Sequence, residues 1–499
     1  MAVVIKTSKW TLLDPSVLAK QQYNRVKILK RFCFHDSDCA FGGKESKVKV
    51  CGYAEAISDS ASTSNNITAT AESLQASDQL SGRVSPESFQ YQYKDDLFAV
   101  YTPFMMNSQA ESICRRTEDP GQEETTNRKR KRKTPCAAGD SGKNGKIIGA
   151  IKELLPEILE RGRELTYFRE EKDALRKYAN NKSARLAALI PGCEDLFQNL
   201  CAQTESQQPG QTELTHACKP MLLLHDAGVK VDAATLIGRC VRNLRDCAVD
   251  FLVDDHLFLV PAKSMFLSCT FWNFIKGGYM QLTDGGGYDL IVVDPPWRNK
   301  SVKRKKSYWT FEESDLKQIP VPALANEACL VCVWVTNKDS LISCVKNDLF
   351  PAWGVELLSE WLWLKLTRCG DPVCDVDSPN KKCYEQLIIG RLTKTSDSVE
   401  KVSDSDGNVD RSLLAPSVPP YDFVLVTTPC VLHSKKPPLS EILSEYVAGD
   451  PRCLELFARN LLPGWTSWGN EPLRHQHIDY FERLSNEQAS HEGKEGKLL

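Results

Sequence analysis

The segment that most restricts the fold is Tyr288-Asp-Leu-Ile-Val-Val-Asp294, entered from Asp284-Gly-Gly-Gly287 and left through Pro295-Pro296-Trp297. A short run with no polar alternation, bounded by turn formers, suits a strand buried on both faces of a sheet. Similar runs recur at His256–Pro261, Ala328–Val335, Glu360–Leu366, Tyr384–Ile389 and Asp422–Thr427. Helix-like pieces, Lys338–Phe350 and Leu439–Tyr446, lie between some of them. Buried strands alternating with helices predict an α/β fold on a mostly parallel sheet, interrupted by a polar loop from Thr395 to Asp410.

Upstream the pattern differs. Ile147, Ile148, Ile151, Leu154, Leu155, Ile158 and Leu159 recur at helical spacing, Leu165, Phe168, Leu175 and Tyr178 continue it, and Ala233–Cys247 is expected to be helical too. Residues 146–254 therefore read as a helical middle region, 255–481 as the α/β domain and 482–499 as a tail. Residues 1–145 read as a largely disordered region, because Ser, Thr, Ala, Asn, Asp and Gln dominate Ile57–Ser88 and leave little for a core. Within it, Arg128–Lys133 is six consecutive basic residues, which repel each other into an exposed, extended run of the nuclear-import type. That places the chain in the nucleus, with the cytosol as second compartment.

Lys+Arg 63 against Asp+Glu 65 gives a formal net charge of −2, so any grip on nucleic acid must come from local patches. The absence of an eighteen-residue apolar run or a leader-like N-terminus predicts no membrane span and no secretory signal. The nineteen cysteines, spread from Cys33 to Cys453, then read as reduced thiols. Cys329 and Cys332 have CxxC spacing but would face opposite sides of a strand. Cys369, Cys374, His475 and His477 form no zinc pattern, so no metal is expected.

Chemistry concentrates at Asp294-Pro295-Pro296-Trp297, because ligands of open α/β sheets bind beyond the carboxyl ends of strands. Two prolines remove two backbone donors and stiffen the turn, leaving carbonyls and a carboxylate as acceptors beside an indole. Two acceptors and a stacking ring suit a planar molecule with an exocyclic amine, whose two hydrogens they would take.

This turn resembles the signature of the DPPW-type adenine-N6 methyltransferases of nucleic acids, relatives of the subunit that methylates messenger RNA. Val333-Trp-Val-Thr-Asn337, Glu360-Trp-Leu-Trp-Leu-Lys365, His433-Ser-Lys-Lys-Pro-Pro438, Glu455-Leu-Phe-Ala-Arg-Asn460 and Trp465-Thr-Ser-Trp-Gly-Asn470 agree with it. With Asn299-Lys-Ser-Val-Lys-Arg304, the set looks most like one branch, the methyltransferase-like 4 proteins. The resemblance covers roughly residues 255–481. It implies a Rossmann-like domain with permuted motif order, the reactive turn preceding the cofactor turn, and S-adenosyl-L-methionine as cofactor. By the same resemblance, Asp294, Pro295, Pro296 and Trp297 are catalytic, with Trp297 stacking on a target base drawn out of any helix. Asp294, Lys436, Arg459, Asn460, Asn470 and Glu471 would hold the cofactor. Relatives also tend to carry an acid after the first strand; here Leu267-Ser-Cys-Thr270 offers only hydroxyls.

The partner so implied is a nucleic acid with an accessible adenine, most of all RNA. Small nuclear RNA at 2′-O-methyladenosine is one acceptor of the branch, and DNA adenine is another. The loop after the turn carries Arg298, Lys300, Lys303, Arg304, Lys305, Lys306 and Tyr308, suited to gripping phosphates on either side of a base. Alternation puts Trp363 and Lys365 on one strand face, as further contacts to the nucleic acid. Two other readings stay open: a non-catalytic RNA-binding scaffold subunit, and a protein glutamine methyltransferase, whose relatives carry Asn-Pro-Pro-Tyr. Whether the chain works as a monomer or with a protein partner is also open.

Overall fold

The computed structural model describes residues 3–17, 23, 26–28, 87–104, 143–169, 181–190, 219–225, 228–283, 285–297, 312–378, 381–393 and 417–484. The basic run at 128–133, the loop 298–309, the insertion 395–410 and the tail from 485 lie outside them.

His256–Val260 pairs antiparallel with Ala248–Val253 in a separate five-stranded sheet, while all the other apolar runs join one twelve-stranded sheet. In chain order its strands are β1 (Val3–Lys6), β2 (Trp10–Leu13), β3 (Leu222–Leu224), β4 (Cys240–Asn243), β5 (Met265–Ser268) and β6 (Tyr288–Val293). They continue with β7 (Ala325–Val335), β8 (Val355–Lys365), β9 (Tyr384–Leu392), β10 (Val424–Thr427), β11 (Cys453–Leu456) and β12 (Trp465–Gly469). The spatial order is β1-β2-β10-β8-β9-β7-β6-β11-β12-β5-β4-β3. From β7 through β6, β11 and β12 to β5 every pair is parallel, and β9 is the antiparallel insert between β7 and β8. The chain leaves β6 towards β7 and returns on its other side as β11, so β6 and β11 flank a topological switch point. This is the α/β fold, with the Asp294 turn preceding the turn after β11 in chain order.

Alternate residues of each strand feed two cores. Ile291, Val293, Val331 and Val333 enter one cluster; Leu290, Val292, Leu330, Trp334, Trp361 and Trp363 enter the other. Cys329 and Cys332 divide between the two in the same way. The helix Lys143–Glu164 lies against a third cluster through Ile147, Ile148, Ile151, Leu154, Leu155, Ile158 and Leu159, the residues whose spacing predicts it.

Two expectations are corrected. Only Ala233–Leu236 of the segment 233–247 is helical, capped by the Asp232 carboxylate, and Cys240–Asn243 is a strand pairing antiparallel with β5. Gly238 at φ 71° ends the turn, and the next residues gain more by extending the sheet than by continuing a four-residue helix. In addition, two described pieces of the first 145 residues are integral to the fold. Trp10–Leu13 is fully buried as β2, and Tyr91–Tyr93 pairs antiparallel with Phe481–Arg483. Neither piece shows a period of its own, because most of the residues that bury it come from distant parts of the sequence.

Among the described residues no helix is long and apolar enough to cross a membrane, and no group of three or more His, Cys, Asp or Glu is placed to hold a metal.

Candidate active site

The site forms at the carboxyl edge of the sheet. Val293 at the end of β6 is in register with Leu456 at the end of β11, and the Asp294 N–H donates to the Leu456 carbonyl at 3.2 Å. The Asp294 turn and the Phe457–Asn460 turn therefore leave the sheet side by side. There is no glycine-rich fingerprint; instead Phe457 itself takes a left-handed φ of 64°. That conformation costs an L-residue about 1–2 kcal/mol, which its ring offsets by packing on Trp468 at 4.8 Å. Gly469 is needed for a different reason: a Cβ there would lie 2.5 Å from the Ala458 carbonyl oxygen, so only glycine lets the turn settle on β12.

A cavity opens beyond these turns, on the sheet face that carries Trp334 and Trp363. Asp294, Lys436, Arg459 and Asn460 line it, as do Trp363, Lys435, Glu455, His475 and, from the distant N-terminal piece, Tyr93. The sequence expectations for Asp294, Lys436, Arg459 and Asn460 thus fall on one cavity. Asn470 and Glu471 stand just outside, Glu471 linked to Arg459 at 3.8 Å and to Arg474 at 3.0 Å.

Asp294 is 15% exposed and meets Lys436 Nζ at 3.3 Å and the Ser434 hydroxyl at 3.3 Å. Burial raises its pKa, and Lys436 only partly counters this. Lys436 also bonds Glu385 at 2.7 Å, and Glu385 pairs in turn with Lys365. Burial pushes Glu385 up, but the two lysines outweigh it and hold the carboxyl well below the usual range. Lys365 lies over the Trp363 ring at 4.1 Å, and the Trp363 indole N–H donates to the Thr427 hydroxyl at 2.8 Å. Trp363 therefore belongs to the cavity wall, while Lys365 covers its ring and has its charge answered by Glu385.

The opposite wall is poorer in charge. Lys435 Nζ donates to Asn460 Oδ1 at 2.6 Å and to the Tyr93 hydroxyl at 3.3 Å. Burial lowers its pKa to about 8. Glu455 is raised to about 8, by burial first and then by Asp294. His475, 2% exposed, has a buried Nδ1 without a partner among the described residues, and burial together with the cations Lys435 and Arg459 keeps it neutral.

Trp297 corrects an expectation. It is 7% exposed and packs in the cluster on the far face of the sheet, its indole N–H donating to the Trp334 carbonyl at 2.8 Å. A buried indole N–H needs an acceptor, and here it finds one by turning inward, away from any base held at Asp294. The Pro295 carbonyl accepts from the Trp297 N–H at 2.8 Å, which leaves one lone pair for a ligand. The hydroxyls expected near Cys269 are both engaged. Ser268 donates to the Asn470 carbonyl at 3.1 Å, and Thr270 caps Phe271–Ile275 by accepting from Asn273 at 3.1 Å. Arg298, Lys300, Lys303, Arg304, Lys305, Lys306 and Tyr308 lie outside the described residues.

Glu385, Glu455, Lys435 and Tyr93 are the site residues that sequence reasoning missed. Glu455 carried a signal, as the lone acid in a short apolar strand, and Glu385 a weaker one, as the lone acid of β9; Tyr93 carried none.

The MT-A70 family model matches residues 288–471. The chain is 40% identical over 279 residues to N(6)-adenine-specific methyltransferase METTL4 of Homo sapiens, covering 55% of this chain and 54% of the relative. It is 35% identical to the N6-methyladenosine RNA methyltransferase MTA1 of Cryphonectria parasitica, over 39% of this chain and 54% of that one. It is 36% identical to the DNA N6-methyl methyltransferase of Caenorhabditis elegans, over 38% and 48%. The matched stretch spans about half the length of these curated relatives. β6, the Asp294 turn, Lys436 and the Arg459 turn all lie inside the stretch 288–471 that matches the MT-A70 model.

Proposed function

We propose that the protein is an S-adenosylmethionine-dependent methyltransferase acting on N6 of adenine in nucleic acid. The observation that carries this reading is Asp294. It is a largely buried carboxylate at the switch point, held between Lys436 and Ser434 and facing a cavity walled by aromatic rings. The cavity's chemistry suits the cofactor: an ammonium with only neutral partners (Lys435), an amide (Asn460), an unpartnered imidazole nitrogen (His475) and flat apolar walls.

When bound, S-adenosylmethionine supplies a methyl group made electrophilic by its sulfonium. The residues have the rest to do. The Asp294 carboxylate and the free lone pair of the Pro295 carbonyl accept the two N6 hydrogens, which orients a poorly nucleophilic amine and stabilises the positive charge that develops on it. Lys436 and Ser434 fix the carboxylate in place. No strong base is required, because the N6 proton becomes acidic as the new bond forms. Trp334 and Trp363 exclude water from this corner.

The MTA1 relative, named as an RNA methyltransferase, favours RNA, with small nuclear RNA at 2′-O-methyladenosine as the finer reading of the sequence resemblance; the nematode relative keeps DNA as a second acceptor. The basic loop from Arg298 to Tyr308 would grip the flanking phosphates, and Arg128–Lys133 would direct the chain to the nucleus. The test is transfer of labelled methyl to RNA and DNA oligonucleotides with an unpaired adenine, with and without 2′-O-methyl. Asp294→Ala should lower the rate by about a hundredfold or more. Transfer unchanged in Asp294→Ala would overturn the reading. Oligonucleotide binding without transfer by the unaltered chain would favour a scaffold subunit instead.

A further inference from the structure

We propose that Trp272, with Lys276, Arg239 and Lys219 around it, is a stacking platform for the flank of the nucleic-acid strand, about four stacked nucleotides from the target adenine. The proposal rests on the nucleic-acid reading above.

The patch lies on the same edge of the sheet as Asp294. β5 runs parallel to β12, β11 and β6, and it stands three places from β6, about 14 Å at about 4.8 Å per strand. Beyond Ser268, its last residue, the short helix Phe271–Ile275 begins under the Thr270 cap. Phe271 and Phe274 turn inward. The Phe274 ring stacks on Trp468 at 3.9 Å, and the Phe271 ring lies parallel to Phe457, in the turn beside Asp294, at 6.3 Å. With the core filled by those two rings, Trp272 is left 40% exposed, and Met280 in the following turn is 61% exposed. Lys276 stands one helical turn after Trp272, its N–H donating to the Trp272 carbonyl at 3.1 Å, so the two share a face.

The start of β4 joins from the other side. The Gly238 N–H donates to the Ser268 carbonyl at 2.7 Å, and Gln281 Nε2 donates to the Gly238 carbonyl at 3.2 Å, which brings Arg239 to this edge. Arg239 uses only Nε, on the Pro220 carbonyl at 2.8 Å, and Lys219 gives one hydrogen to the Ile237 carbonyl at 2.8 Å. Among the described residues neither they nor Lys276 makes an ion pair. Residues 219–225, 237–245 and 262–283 also hold Arg242, Arg245 and Lys263 but no Asp or Glu, in a chain whose net charge is −2. A lone exposed indole needs no explanation. A flat ring among unanswered cations, with no acid to repel phosphate, suits a single strand, whose bases stack on the ring while its phosphates meet the cations.

The test is fluorescence-anisotropy binding of the full chain to labelled single-stranded oligonucleotides, as RNA and as DNA. A short one carries about two nucleotides on each side of a single adenine, and a long one about ten. Trp272→Ala should weaken the long oligonucleotide about tenfold and leave the short one within about twofold, and Trp272→Phe should recover most of that loss. Lys219→Gln, Arg239→Gln and Lys276→Gln should each lower by about one the slope of log affinity against log salt for the long oligonucleotide, whatever its flanking sequence. When the long flank is kept on one side only, the Trp272→Ala loss should appear for one polarity and not for the other. Equal loss on both lengths would mark a structural role for Trp272 and overturn the proposal. So would no loss on the long oligonucleotide, or the same loss with either flank. In those cases methyl transfer to the short oligonucleotide that depends on Asp294 would leave the nucleic-acid reading standing. Failure of the unaltered chain to bind either length would overturn that reading as well.

Discussion

Lys435 and Lys436 are chemically identical neighbours on one cavity, yet their surroundings drive them in opposite directions. Burial disfavours the charge on both. At Lys436 the carboxylates of Asp294 and Glu385 reverse the effect and raise the pKa; at Lys435 neutral partners leave it lowered to about 8. The Lys436 wall is a closed network whose charges answer one another, while the Lys435 wall keeps a charge open. One wall answers its charges within the protein; the other leaves an ammonium beside neutral groups. Burial alone does not tell a structural ion from a binding one; the partners do.

The largest expected effect comes from removing the paired lysine. Lys436→Met leaves Asp294 and Glu385 facing each other and should cost about 2–4 kcal/mol in denaturant unfolding. Lys435→Met should change stability by less than about 1 kcal/mol at pH 7, because it removes hydrogen bonds and an unanswered charge together. The reverse ranking would break the contrast between the two walls.

The pH dependence sharpens it. Glu455 has its folded pKa raised from 4.5 to about 8, so the native state holds the extra proton between those values. The stability it contributes is fully present below pH 4.5 and is lost as pH rises towards 8. Glu455→Gln should therefore flatten the decline, gaining about 1–3 kcal/mol over the unaltered chain at pH 8 and little at pH 5. Lys435 acts with the opposite slope. Its folded pKa is lowered from 10.5 to about 8, so the unfolded chain binds more protons in that window and stability rises with pH across it. Lys435→Met should abolish that rise.

Trp297→Phe should cost about 1–2 kcal/mol, the price of an unpaired Trp334 carbonyl, yet retain methyl transfer within about tenfold. A far larger loss of transfer at unchanged stability would return Trp297 to the substrate. Smallest of all, Lys365→Met should cost about 1 kcal/mol or less, since Glu385 keeps Lys436.

The sheet and the place of Asp294 at a strand end were legible because both follow from short-range patterns: apolar runs, glycine turns and a proline pair. So was the shared face of Trp363 and Lys365, which period-two alternation dictates. The roles within the site were not legible to the same depth. His433-Ser-Lys-Lys-Pro-Pro438 does not say which lysine is paired, because Glu385 arrives from another strand. Trp297 looked available for stacking, because the acceptor that draws it inward, the Trp334 carbonyl, is set only by packing. Tyr93 was invisible, since its value to the site depends on Lys435, Asn460 and Phe481, all brought to it by tertiary structure.

The pairing of Tyr91–Tyr93 with Phe481–Arg483 has a consequence for synthesis on the ribosome. The tyrosine emerges early, but the strand that anchors it emerges only after every strand of the large sheet has been made. Contacts so far apart in sequence are the slow ones to form. A nascent chain that has already exposed the Asp294 turn and the Arg459 turn still lacks the wall that holds Lys435 in place. The pocket is thus finished last, and growing chains display the Asp294 and Arg459 turns before the cavity beyond them is complete.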